Sequence, residues 1–175
     1  GHVTGNDYRI TIIGNKLAFV IKRSPPSITG DGKKTIYDLI TDKNKKLKEE
    51  GLKNQVQGII PLDAEVRYVI KKNGLSLYDI LEKDKTITLK SISNLSVGGS
   101  RQQLDNSEIH PEVISMCESI SKQLNLFSLG IDYITTDIGA SPEKSGGSIL
   151  ELNYNPELAD RWFDLYLDRL LERHS

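Results

Sequence analysis

The sequence predicts an α+β domain, a largely antiparallel sheet with helices packed on it, on three observations. Two β-rich runs, 8–13 and 17–22, flank Gly14-Asn15-Lys16, a short connection made of residues that tolerate positive φ, and so read as a hairpin. Two further runs, 129–135 and 148–153, are separated by a Gly/Ser/Pro loop and read as an antiparallel pair. Around Ile36, Val113 and Trp162, apolar residues recur at helical spacing, which supplies the helices.

After the hairpin, residues 23–34 (RSPPSITGDGKK) are so rich in breakers that they predict only a loop. Thr35 then caps a helix. Its hydroxyl can accept from the Asp38 N–H while the Asp38 carboxylate reaches back, and Ile36, Leu39, Ile40 and Leu47 form the apolar stripe, with Gly51 as the stop. The lysines at 43, 45, 46 and 48 fall on several sides of this helix and read as a solvated face. Asp63 caps a second helix through Val66, Val69 and Ile70 to Asn73-Gly74, and Ser76 with Asp79 opens a short third. Residues 86–91 alternate as a strand and lead into a loop, 92–101, in which Gly98 and Gly99 mark a tight or closely approached backbone. Pro111 suits the first turn of another helix, with Val113, Cys117, Ile120 and Leu124 on one face and His110 as its cap. The last segment, 159–173, carries Trp162, Phe163, Tyr166, Leu167, Leu170 and Leu171 and is expected to close the core.

Composition narrows the function. Length 175 suits a single domain with a real core. Lys+Arg 23 against Asp+Glu 24 gives no electrostatic drive toward nucleic acid or an anionic membrane. No apolar run approaches the roughly 20 residues that span a bilayer. The lone Cys117 excludes an internal disulfide, lies among apolar residues and fits a reducing cytoplasm. Gly1 and His2 read as residues added by cloning, and His2 enters no site.

Motif tests are mostly negative. Gly32-Lys33-Lys34-Thr35 fails as a nucleotide-binding P-loop, because Lys34 follows the lysine where Ser or Thr is required and Ser27 stands where a Gly is required. What remains open there is either an anion site at a helix N-terminus or a flexible surface loop. There is no Gly-x-Ser-x-Gly elbow and no Cys/His set with zinc spacing. In the 148–153 strand, simple alternation groups Ile149 with Glu151 and Asn153, and Leu150 with Leu152. Glu151 and Asn153 then share a face. They are either half of a site for a hard divalent cation or the polar side of a half-exposed strand. With Asp132 on the adjoining strand they form the one remaining constellation, with Arg9, Arg23 and Arg101 as possible anion partners.

Gly5-Asn6-Asp7-Tyr8-Arg9, Arg23-Ser24-Pro25, Gly30-Asp31-Gly32 with Thr35-Ile36, Asn94-Leu95-Ser96-Val97-Gly98-Gly99, His110-Pro111, Gly130-Ile131-Asp132 and Glu151-Leu152-Asn153 occur in this order. Together they resemble the C-terminal lobe of ATP-grasp carboxylate–amine ligases, in particular cyanophycin synthetases and the ATP-grasp half of the bifunctional glutathione-forming enzymes. The resemblance runs from Gly5 to Pro156. It implies that Asp132, Glu151 and Asn153 hold the Mg²⁺ ions that bridge the ATP phosphates. It also implies that Arg23 contacts phosphate or an acyl phosphate, that Asn94 acts beside the reacting groups, and that Arg9, Gly98 and Gly99 join Arg23 in binding the nucleotide. The implied reaction activates a carboxylate as an acyl phosphate and couples it to an amine of an amino acid or peptide. One departure is Pro156-Glu157, where these families often have Pro-Gly. The resemblance further implies that residues 1–175 form a single lobe whose partner, the N-terminal nucleotide-binding lobe, is not represented before Gly5, so that the isolated chain is inactive. The competing expectation is a non-catalytic ATP-grasp-like module for binding or assembly.

Overall fold

The computed structural model describes residues 5–54, 58–154, 156 and 162–174, with side chains for all of these except 51–54 and 174. Gly1, His2, Asn155, Glu157 and the expected start of the last helix lie outside the described residues. In chain order the elements are β1 (Asn6–Ile13), β2 (Lys16–Ser24), β3 (Ser27–Thr29), α1 (Ile36–Asn54), α2 (Ala64–Lys72), β4 (Thr86–Thr88), β5 (Ser100–Leu104), α3 (Pro111–Leu124), β6 (Ser128–Thr135), α4 (Pro142–Ser145), β7 (Ser148–Asn153) and α5 (Phe163–His174). The chain divides into two compact units, one of residues up to Lys22 and from Gln102 onward, the other Arg23–Arg101. Among the described residues no helix is long and apolar enough to cross a membrane.

The first unit holds a five-stranded sheet in the order β5-β2-β1-β6-β7, with β6 antiparallel to both β1 and β7. The expected α+β architecture and largely antiparallel sheet are what the chain forms. Gly14 (φ 58°) and Asn15 (φ 62°) turn the β1–β2 hairpin, a pair of positive φ values that matches the twist of the strands it joins. One face of the sheet is apolar: Tyr8, Ile10 and Ile12 lie opposite Tyr133, Ile131 and Leu129, and Val113 and Cys117 of α3 pack with them. His110 caps α3 as expected, its Nδ1 accepting from the Glu112 N–H at 3.2 Å. On the other face, Ile13, Ala18 and Phe19 pack with Trp162, Leu165 and Tyr166, the Phe19 and Trp162 rings stacked at 4.2 Å. Arg169 of α5 clamps the hairpin, donating to the Ile13, Lys16 and Leu17 carbonyls at 2.7, 2.9 and 3.1 Å. Only part of α5 closes core, since Phe163, Leu167 and Leu171 are exposed.

The second unit has its own core, formed by Ile28, Ile36, Ile40, Ile60, Val66, Ile70, Leu81, Ile87 and Leu89 among others. The Thr35–Asp38 capping box forms: the Thr35 hydroxyl accepts from the Asp38 N–H at 3.1 Å, and the Asp38 carboxylate accepts from the Thr35 N–H at 3.4 Å. Asp63 caps α2 by accepting from the Val66 N–H at 3.1 Å. Four expectations are corrected here. Residues 23–34 are not all loop, because β2 runs to Ser24 and Ser27–Thr29 pairs with Thr86–Thr88, burying Ile28 against Ile87. The strand expected over 86–91 is correspondingly only Thr86–Thr88. No helix opens at Ser76, because the Leu77 and Asp79 carbonyls accept instead from Tyr37 and Ile36, two of the N–H groups that the start of α1 leaves unpaired. Gly51 does not stop α1, which continues to Asn54; one glycine costs a helix only about 1 kcal/mol relative to Ala.

Candidate functional site

The polar stripe of the first unit lies on the sheet face opposite α3. Register sets it: Arg9 of β1 is opposite Asp132 of β6, Asp132 is opposite Glu151 of β7, and Gly130 is opposite Asn153. Directly opposed residues share a face, so Arg9, Asp132 and Glu151 form one rung across three strands, and Asn153 stands on the next with Gly130. A bulge makes this register possible. Tyr133 pairs with Ile149 and Asp132 with Glu151, so Leu150 is the extra residue. The grouping by simple alternation is thereby corrected: Ile149 turns to the apolar face and packs on the core, while Glu151 faces the polar side. Leu150 is 56% exposed.

Asp132 is buried, at 8% exposure, and Arg9 covers it. The Arg9 Nε donates to Asp132 Oδ1 and an Arg9 terminal nitrogen to Oδ2 at 3.3 Å, a forked charge-assisted pair that fixes the carboxylate plane. Gly130 makes the room. A Cβ there would stand 3.1 Å from Arg9 Nη1, 3.3 Å from Arg9 Cδ and 3.0 Å from the Pro156 Cβ. The spacing Gly130-Ile131-Asp132 carried this signal, since a strand glycine two residues from a polar side chain marks a close approach on the same face. Glu151 is exposed, and Asn153 is half-buried.

The oxygen chemistry of Asp132, Glu151 and Asn153 suits a hard divalent cation. The Asn153 amide nitrogen is buried without a hydrogen-bond partner, a condition costing about 1–3 kcal/mol, but an N–H cannot ligate a cation, so any fit to a metal rests on the oxygens of the three side chains and needs the Asn153 amide turned to present its own. The residues present therefore fit Mg²⁺. Among the described residues no three His, Cys, Asp or Glu side chains gather as a metal cluster, so a metal held here would take its third donor from the Asn153 amide oxygen. Asp137, which the sequence offers as the substitute candidate for the metal position, lies in a turn with its Oδ1 accepting from the Gly139 N–H at 2.9 Å.

The other predicted residues lie in the second unit. Arg23 stands near the end of β2, half-buried. Asn94 caps a single 3₁₀ turn, Leu95–Val97, its Oδ1 accepting from the Ser96 N–H at 3.1 Å. Gly98 (φ 84°) has left-handed backbone, and a Cβ there would lie 2.5 Å from Ile60 Cγ1. Gly99 donates to the Asn94 carbonyl at 2.9 Å, and a Cβ on it would lie 2.7 Å from that oxygen. The glycines therefore have a local structural cause. Arg101 is exposed on β5. The anion-site reading of residues 30–34 is corrected: Gly30 and Gly32 donate to the Lys85 and Leu81 carbonyls, and Asp31 accepts from both the Lys33 and Lys34 N–H groups at 2.8 Å. These two bonds hold the Asp31 carboxyl below the usual carboxylate range. A carboxylate already occupies the place an anion would take.

Comparisons with known proteins agree with this architecture. No protein-family model matches the chain. Cyanophycin synthetase of Crocosphaera subtropica is 36% identical over 87% of the chain, and the glutathione biosynthesis bifunctional protein of Clostridium perfringens is 29% identical over 89%. The chain spans only 17% and 20% of those two relatives. The crystal structure of a bifunctional glutathione synthetase from Pasteurella multocida superposes with a TM-score of 0.77 over 98% of the chain, at 22% identity and 25% coverage of that protein, which establishes the shared fold. The chain is thus homologous to one segment of the larger ATP-grasp carboxylate–amine ligases, with cyanophycin synthetases and glutathione-forming bifunctional proteins among its relatives.

Proposed function

We propose that this chain is the C-terminal catalytic lobe of an ATP-dependent ligase that activates a carboxylate as an acyl phosphate and joins it to an amine of an amino acid or peptide. The observation that carries the reading is the polar rung: Arg9, Asp132 and Glu151 in line, with Asn153 beside them, on the sheet face opposite α3. Relatives with matching segments support the reaction class.

In the reaction, a substrate carboxylate oxygen attacks the γ-phosphorus of ATP and ADP leaves; the amine nitrogen then attacks the acyl carbon, phosphate leaves, and the amine loses a proton. Bound Mg²⁺ supplies charge neutralisation for the phosphates, and Asp132, Glu151 and Asn153 would hold it. Arg23 offers a guanidinium matched to phosphate or acyl-phosphate oxygens. The resemblance gives Asn94 a part in the chemistry, on a loop whose shape Gly98 and Gly99 permit. The reading assigns the protein to the cytoplasm, in keeping with its single buried cysteine.

The reading also assigns nucleotide positioning to a second lobe. Loss of well-oriented positioning forfeits roughly 7–11 kcal/mol of barrier lowering, so the 175-residue chain alone folds but does not turn over. The test incubates the chain with ATP, Mg²⁺ and a panel of amino acids and short peptides and measures ADP and phosphate. Substrate-dependent release at about 1 per second or faster would show a complete enzyme and overturn the single-lobe assignment. In the joined protein, Glu151→Gln is expected to abolish ligation, and unchanged turnover would remove the metal assignment.

A further inference from the structure

The Arg9–Asp132 pair raises a question that the proposed function does not answer. A side chain expected to meet nucleotide phosphate instead forks onto the candidate metal ligand, with Nε and a terminal nitrogen each facing a different carboxylate oxygen. Gly130 preserves the space in which the guanidinium lies. Asp132 and Glu151 are directly opposed on β6 and β7, and like charges at such positions repel. Arg9 is on the same rung. With it, the rung carries one net negative charge; without it, two.

We propose that Arg9 is a positioning residue that serves as a built-in counter-ion: it holds the Asp132 carboxylate oriented and half-neutralised, so that the site takes up a free divalent cation poorly and takes up a cation already carrying polyphosphate charge well. The inference rests on the reading of Asp132 and Glu151 as metal ligands and deepens it. A bare cation is repelled by the guanidinium that pairs with Asp132. A cation bound to nucleotide phosphates brings its own negative charge, and the same guanidinium then attracts it. Arg9 therefore acts through Asp132 rather than on the reacting atoms, and its consequence is selectivity for the metal–nucleotide complex over the metal alone.

The test uses the 175-residue chain, Mn²⁺ as the probe and low ionic strength, so that screening does not mask the effect. Mn²⁺ binding without nucleotide is followed by electron paramagnetic resonance for the wild type, Arg9→Gln, Arg9→Lys and Asp132→Asn, with thermal unfolding of each as the control for fold. A unit charge roughly 5 Å from a divalent ion changes its affinity by more than about tenfold even at the permittivity of water, so Arg9→Gln is expected to bind Mn²⁺ at least about tenfold tighter. Arg9→Lys keeps the charge and loses the fork, and is expected to stay within about threefold of the wild type, an outcome that a merely structural role for Arg9 does not produce. Asp132→Asn is expected to weaken binding. If Arg9→Gln binds no tighter while Asp132→Asn still weakens binding, this inference fails and the metal site stands. If binding ignores Asp132→Asn, the metal-site reading fails and takes the inference with it. Should Arg9→Gln not fold, the wild type decides: Mg²⁺ saturation is expected to shift the ¹⁵N signal of the Arg9 Nε–H that faces Asp132, and an unmoved signal overturns the proposal.

Discussion

Replacing Gly98 by Ala separates what the 94–99 loop needs in order to fold from what it does for chemistry. Gly98 has φ 84° and ψ 16°, backbone that costs an L-residue about 1–2 kcal/mol. The added methyl would stand 2.5 Å from Ile60 Cγ1 and 3.0 Å from the Ile60 nitrogen. Ile60 has little room to retreat. It is 1% exposed, its N–H donates to Asn44 Oδ1 at 2.8 Å, and its carbonyl accepts from Asn44 Nδ2 at 2.9 Å. Overpacking of this kind adds about 1–3 kcal/mol, so Gly98→Ala is expected to lose about 3 kcal/mol in all. At the usual 2–4 °C per kcal/mol for a chain of this size, that is a Tm drop of roughly 6–12 °C. Calorimetry and urea unfolding both read it. Ile60→Ala removes the clashing atom, so the double variant is expected to be less destabilised than the sum of the singles by at least about 1 kcal/mol. A loss below about 1 kcal/mol for Gly98→Ala, or simple additivity, would refute the steric account and leave ligand contact as the reason for the glycine.

Arg169→Met keeps most of the apolar stem and strips three hairpin carbonyls of their donor, and is expected to lower stability by about 2–3 kcal/mol, with faster amide exchange in β1 and β2 as the local readout. Lys90, buried between Asp63 and Glu65 at 2.7 and 2.8 Å, holds both carboxyls below their usual range. Their folded pKa values are depressed, so this contribution is present above the ordinary carboxylate range and is lost as pH falls through the lower folded values. Lys90→Gln is therefore expected to flatten the acid limb of a stability–pH curve, and an unchanged limb would exclude the cluster as its source. Burial, with Glu118 adding, pushes the Cys117 thiol up to about 12, so iodoacetamide at pH 8 is expected to label it only after denaturant is added; rapid native labelling would contradict its place in the core.

Local chemistry was the legible part of the sequence. Thr35 with Asp38, Asp63, His110 before Pro111, and Gly14-Asn15 each act within four residues, and each forms the cap or turn that its capping side chain or its tolerance of positive φ dictates. Pairing partners distant in sequence were less legible. Ser27–Thr29 sits among prolines and glycines and becomes a strand only because Thr86–Thr88, almost sixty residues on, offers a ladder and an apolar surface for Ile28. Residues 76–79 carry a helix-like start, yet their carbonyls complete α1. Within the candidate site, the residue types and the strand pair were readable, whereas the Arg9–Asp132 contact was not, since it depends on β1 lying beside β6.

The bulge at Leu150 changes how the site should be counted. Ile149 and Glu151 are two positions apart along the chain but one rung apart on β6, so chain distance and ladder distance part company just before the carboxylate. An alignment that scores this strand residue by residue treats a gain or loss at Leu150 as a frame error. On the ladder it is the one position whose removal would leave both Ile149 and Glu151 opposite their present partners. Kinship in this segment is better judged by what faces Asp132 than by the number of letters between glycine and asparagine.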